Sequence, residues 1–504
     1  MRRPSILRDS GSEVIRIASQ LLSVLIITPI LIKQLHEDGY GVWKFIEAAL
    51  LYFVIFEPSL RGGMVRFLAE AIGRHDRKDA TTVVTTCAII IIPLVSIAVL
   101  AAFLSAPLLM SFPKDLTPDL RDDGILTTRI MSVVMGVRLM SMFGGGILNA
   151  AKRIDLINLI SVPIVWINLI ATLVVLSQGG GLVAIAILSL VMSAFSFGIT
   201  IAVTLFHCKK LQYFERRRIR PARIPGMFRY IFYSFISKVG DALSLQTPIL
   251  IYAAFFSIEV AAIFAVVRTV ETTGRLLTVA LLDSASPRLT ATISNPPAFK
   301  RLMESFTSMV SLVTFSTGTC FMIFAVDFIS LWSPLEDPDN LVGAFVIWKG
   351  LELVLINAKV VGAAVARSSN NMEIMAIWTM IEGIICLGLS LWLAHSIGPT
   401  GPIVAIVLTQ LIGGVVVTPL VLNRLAGIPP TQSFSTLYFR PIIGCLAGGV
   451  IPFATLFFIP LTSWPSFIGA AILGCALVGA GGYAITLQRE QRSELWNRVK
   501  QIRG

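Results

Sequence analysis

Arg268, Glu271 and Arg275 stand three and four residues apart, so on a helix all three share one face. Lys349, Glu352 and Lys359 form a similar series, and Lys238 and Asp241 are again three apart. Arg138 and Glu47 lie within apolar segments, while Arg16, Arg61 and Arg66 lie near the basic ends of theirs. Six of these groups are bases deep in apolar sequence (Arg138, Lys238, Arg268, Arg275, Lys349, Lys359), against four acids (Glu47, Asp241, Glu271, Glu352). An excess of base suits an anion, and the guanidinium fork binds phosphate oxygens in pairs. The competing reading is self-neutralisation, with Lys238/Asp241, Arg268/Glu271 and Lys349/Glu352 as structural pairs. That reading leaves Arg275, Lys359 and Arg138 with no evident partner on their own helices. Glu47, Asp241, Glu271, Glu352 and Glu382 are candidates for H+ or Na+ coupling, and no cofactor is expected. The six cysteines and four histidines are scattered without ligand spacing, so no metal site is expected.

What makes these charges informative is their background. Of 504 residues, 55% are hydrophobic and 14% charged, with a mean hydropathy of +0.81. Soluble domains carry about 25% charged residues. The apolar residues come in long blocks such as Val83 to Met110 and Gly181 to Phe206, each meeting the roughly 20 residues a helix needs to cross hydrocarbon. Transmembrane barrels show short alternating segments instead. The expected fold is therefore an all-α polytopic membrane protein with about fourteen transmembrane helices. An ionisable group at the centre of such a helix costs about 2.5–3.5 kcal/mol on insertion scales, so it faces a partner or a cavity.

The loops give orientation. Alternate connections carry Arg74, Arg77 and Lys78, Lys152 and Arg153, the run Lys209 to Arg223, Arg288, Lys300 and Arg301, Arg367 and Arg424. The intervening ones are neutral or acidic, with Glu37 and Asp38, Asp115 to Asp123, Glu259, and Glu336 to Asp339. Lysine and arginine in short loops stay inside, which places both termini in the cytoplasm. The net charge of +12 then belongs beside anionic lipid headgroups rather than nucleic acid. In the tail, Leu495, Trp496, Val499 and Ile502 form an apolar stripe suited to a surface-lying helix.

Organisation follows from the breaks. The expected parts are a six-helix bundle over 1–206, a basic linker over 207–226, a second six-helix bundle over 227–425, two additional helices within 426–487, and an amphipathic tail over 488–504. Thr28-Pro29-Ile30-Leu31-Ile32 recurs as Thr247-Pro248-Ile249-Leu250-Ile251, which points to a parallel duplication and two pseudo-symmetric bundles around a central cavity. Pro29 and Pro248 each remove a helix hydrogen bond and are candidate hinges.

Leu35 to Trp43 resembles the LGxxxYGxW junction between the first two spans of bacterial polysaccharide flippases, and Pro58 to Glu70 resembles their GLGxAxxRFxAE segment. The stretch from Phe228 to Pro287 is similar to the start of their second half. The resemblance is to the Wzx-like O-antigen and polysaccharide flippases of the multidrug/oligosaccharidyl-lipid/polysaccharide exporter superfamily. It implies movement of polyprenyl-pyrophosphate-linked oligosaccharide from inner to outer leaflet of the bacterial cytoplasmic membrane by alternating access, with other polysaccharide-assembly membrane proteins as candidate partners. The sequence departs from the pattern at Arg61, where the family has glycine. Two other functions compete. A cation-coupled multidrug antiporter of the same superfamily would carry an acidic site in its first half, and the first span lacks a central carboxylate. A glycan polymerase or ligase would need a large outer loop, and the longest here, about Ser111 to Asp123, is short and acidic.

Overall fold

The computed structural model describes residues 6–211, 224–337, 339–369, 371–456, 461–487 and 491–493. Most of the expected linker (212–223) and the tail stripe at Leu495, Trp496, Val499 and Ile502 lie outside these residues. Every element described is helical, as hydrocarbon demands: without water, each backbone polar group must be bonded within its own segment.

The first helices are α1 (Ile6–Phe53), α2 (Glu57–Gly73), α3 (Arg77–Leu104) and the single turn α4 (Ala106–Leu109). They are followed by α5 (Pro118–Ala150), α6 (Ile154–Ser177) and α7 (Leu182–Leu211). Next come α8 (Ile224–Leu245), α9 (Thr247–Phe255), α10 (Ile258–Thr292), α11 (Pro296–Trp332) and α12 (Leu341–Ser368). The chain ends in α13 (Met372–Ile397), α14 (Gly401–Ile412), α15 (Thr418–Ala426), α16 (Pro430–Phe434), α17 (Arg440–Leu456) and α18 (Trp464–Thr486). Starts are set by local chemistry: the Asp76 and Asn295 side chains accept from the backbone N–H of Asp79 and Ala298, capping α3 and α11.

Among the described residues, ten helical stretches are long and apolar enough to cross a membrane. Two of them are interrupted. His36, at φ 57 and ψ 176, breaks α1, and Gly398, at φ 75, separates α13 from α14. The stretches α8–α9 and α10, rich in the ionisable residues above, supply two further crossings, which accounts for the fourteen expected. Large apolar side chains stand exposed along the spans, Ile97, Leu104, Leu159 and Ile472 among them. That is the surface a lipid-facing helix presents, and the chain is a multi-pass membrane protein.

Two compact units result: Met1–Ala242 with Tyr252–Ala262, and Leu243–Ile251 with Ile263–Gly504. In the first, α5 packs along α7, and α2 and α3 pack on α5. In the second, α12 is the most buried span and lies against α11. Gly350 permits this approach, since a Cβ there would stand 2.1 Å from Met322 Cγ. The pair α17 and α18 is joined through Gly444, Gly448 and Gly481, the small-residue packing that membranes favour.

Candidate functional site

In the second unit, α10 and α12 bring four charges into one buried network. Arg275 donates through Nε and Nη2 to Glu271 Oε1, at 2.9 and 2.7 Å. The same Nη2 donates to Glu352 Oε1 at 2.7 Å. Lys349 bonds to Glu352 one turn along α12 and lies 3.4 Å from Glu271 Oε2. Its ammonium also sits 5.7 Å from the centre of the Phe264 ring, which meets Phe345 edge-on. Glu352, Glu271 and Lys349 are 0, 1 and 2% exposed. Two positive and two negative charges thus cancel, each carboxylate bridging both bases. This is the arrangement under which a buried charge is tolerable.

Further along α12, Lys359 Nζ lies 3.4 Å from Glu382 Oε2 on α13. Arg268 donates to the neutral amide of Gln246 at 3.0 Å. The buried Asn357 donates to Ser311 Oγ at 3.3 Å and to the Leu437 carbonyl at 2.7 Å.

The first unit is built differently. Arg138 on α5 donates to Ser193 Oγ on α7 at 3.2 Å and lies in the field of Glu47. Glu47 itself takes a bond from Lys44 at 2.8 Å. Lys238 and Asp241 pair at 3.2 Å with both side chains partly exposed. Arg16 donates to Gln20, and Arg66 lies against the Phe67 ring. Arg61 bonds Glu57 at 2.9 Å, beside a small pocket walled by Phe56, Leu60, Met64 and Phe143. Glu57 opens α2, outside the membrane-crossing stretches. Burial raises its carboxyl above the usual range, and Arg61 opposes that rise.

The spacing of the sequence predicts Lys238/Asp241 and Lys349/Glu352, and both pairs are present. It also predicts Arg268/Glu271, which the structure corrects. Glu271 turns instead to Arg275, which therefore does have a partner on its own helix. The reason is geometric: i+3 and i+4 are equally near on a helix, and Glu352 on α12 draws the Arg275 fork to the side where Glu271 can share it. Of the two candidate hinges, Pro29 lies inside α1, whereas Pro248 follows the break at Gln246. Gln246, Ser193 and Asn357 were not singled out by sequence. Only Asn357 carried a signal, as an amide between the charged Glu352 and Lys359 of α12.

No model of a known protein family matches the chain, and no curated protein does. Solved structures match over most of its length. An inward-facing multidrug resistance MATE family transporter of the MOP superfamily superposes with a TM-score of 0.67 at 15% identity, covering 82% of this chain and 98% of its own. The lipid II flippase MurJ, in an inward closed conformation, superposes with a TM-score of 0.67 at 14% identity, covering 95% of this chain and 99% of its own. An outward-facing MATE transporter gives 0.64 at 17% identity, over 84% and 95%. At such identities the likeness is one of fold: this chain has the fold of the MATE and MurJ transporters of the MOP superfamily.

Proposed function

We propose that the chain is a flippase for a polyprenyl-pyrophosphate-linked oligosaccharide, working by alternating access in a bacterial cytoplasmic membrane. The observation that carries this over the multidrug reading is coverage. MurJ matches 95% of the chain, so only about 25 of its 504 residues lie outside the superposition. The 62 residues of 426–487, with α17 and α18, must therefore mostly lie inside it. The MATE structures above leave 16 to 18% of the chain unmatched.

The charges divide by availability. Arg275 and Lys349 are engaged by Glu271 and Glu352, and a pyrophosphate reaching them would have to displace buried carboxylates. Arg138 bonds to a neutral group, the Ser193 hydroxyl, and loses less by turning to an anion. On this reading Arg138 is the principal headgroup contact, with Arg268 beside Gln246 further along the route and Arg16, Arg61 and Arg66 gathering the anion at the inner mouth. Glu382, beside Lys359, is the second unit's coupling candidate outside the network.

The test is complementation of flippase-deficient strains with defined glycan units. Restored surface glycan is the expected result. Failure across the panel, together with raised resistance to cationic drugs on overexpression, would overturn the reading in favour of the antiporter.

A further inference from the structure

The junction inside α1 and the hairpin between α9 and α10 meet at the end of the first unit that the loop charges place outside. Gly41 sits so close to the hairpin that a Cβ there would stand 2.4 Å from the Ile258 carbonyl oxygen. From the α4–α5 loop, the Lys114 backbone N–H donates to the Ala253 carbonyl at 3.0 Å. Its ammonium donates to the Phe255 carbonyl at 2.9 Å. Two loops of the first bundle thus clasp one hairpin through its backbone. α9 and α10 both continue from this hairpin into the second unit.

A third contact crosses the same seam: the Asp38 and Glu259 carboxyls face each other within hydrogen-bonding reach. An ionised carboxylate only accepts, so the two can bond only while one of them holds a proton. Without it, like charges face each other across the seam. The surrounding charges do not remove the dependence. Glu37 adds repulsion and His36 offsets it. Lys114 is engaged by the hairpin carbonyl, Lys44 pairs with Glu47 further along α1, and Asp122 and Asp123 at the start of α5 are exposed. Beside Asp38, His36 holds φ 57 and ψ 176, close to a region that glycine alone populates freely. In the resembling LGxxxYGxW junction that position is glycine. The junction beside the clasp is therefore in a conformation its own residue disfavours.

We infer that the 252–262 hairpin is a strap whose hold on the first unit depends on a proton shared by Asp38 and Glu259. In a carrier working as proposed above, a proton arriving from outside would fasten the strap and its loss would free it. That consequence rests on the functional reading; the strap itself does not.

Burial and Glu259 both raise the Asp38 carboxyl above its ordinary 3.8. The proton-dependent part of the hold is then fully present below 3.8 and is lost as pH rises through the raised value. Hydrogen exchange by mass spectrometry on the full chain in lipid nanodiscs, corrected for intrinsic rates, reads this directly from peptides spanning 110–116 and 252–260. In the wild type, protection should fall several-fold as pH rises. In E259Q, and separately in D38N, an amide supplies the missing donor at every pH, so protection should stay level. Protection that is pH-independent in the wild type, or that falls equally in both variants, overturns the inference. Failed glycan complementation with a normal exchange profile would instead remove the functional reading and leave the strap.

Discussion

The two units use the same residue types at the same spacings to opposite effect. In the second, Glu271, Lys349 and Glu352 are almost wholly buried and each is bonded to charges on both α10 and α12. In the first, Lys238 keeps 41% of its side chain exposed beside Asp241, and Arg61 keeps 45% beside Glu57. Spacing of three or four residues therefore says that two charges can meet, and burial decides what the meeting is for. A buried network is fixed, because any group left alone there has no water to turn to. A half-exposed pair can be traded for another partner at little cost. The α10–α12 network of the second unit is thus structure, whereas the half-exposed pairs of the first unit stay exchangeable.

The largest test of that contrast is Arg275→Ala. It strips Glu271 and Glu352 of a shared donor and leaves two buried carboxylates with Lys349 alone. Removing one partner from a buried pair costs about 3–5 kcal/mol, so the midpoint of denaturant unfolding in detergent should fall steeply. Arg275→Lys should recover part of the loss, since an ammonium restores charge without the fork that reaches both acids. If Arg275→Ala unfolds at the wild-type midpoint, the network is not structural and the contrast collapses.

How much of this was readable in advance follows the range of each interaction. The spans were legible because each helix satisfies its own backbone and needs no other part of the chain. Lys238/Asp241 and Lys349/Glu352 were legible because both partners sit on one turn. The choice of Arg275 over Arg268 by Glu271 was not, because Glu352, 77 residues away from Arg275, makes it. Lys359 with Glu382 was hidden for the same reason: its partner is on α13. At the α1 junction the sequence held an unread clue, a histidine where the resembling motif has glycine. It marks a backbone conformation that propensity alone would not place on a histidine.

Arg138→Ala probes the other side of the contrast, with a smaller expected effect on folding. Its partner Ser193 is neutral, so its loss leaves no buried charge behind, and the unfolding midpoint should move little. Surface glycan at matched protein level should nevertheless fall about tenfold, equivalent to one lost charge-assisted contact of roughly 1.4 kcal/mol. A large stability loss with normal export per folded molecule would make Arg138 structural and assign it to the same class as Arg275.

The smallest effect belongs to Lys238→Ala. The pair with Asp241 is partly exposed on both sides, and such pairs contribute about 0–1 kcal/mol. Asp241 can rehydrate where it stands, so the midpoint should stay within that range. Raising the salt concentration should shrink even that difference, because exposed charges are screened. A loss as large as that of Arg275→Ala would show that Asp241 is held away from water despite its exposure. The first unit would then carry a buried network of its own, and the difference between the units would be one of degree.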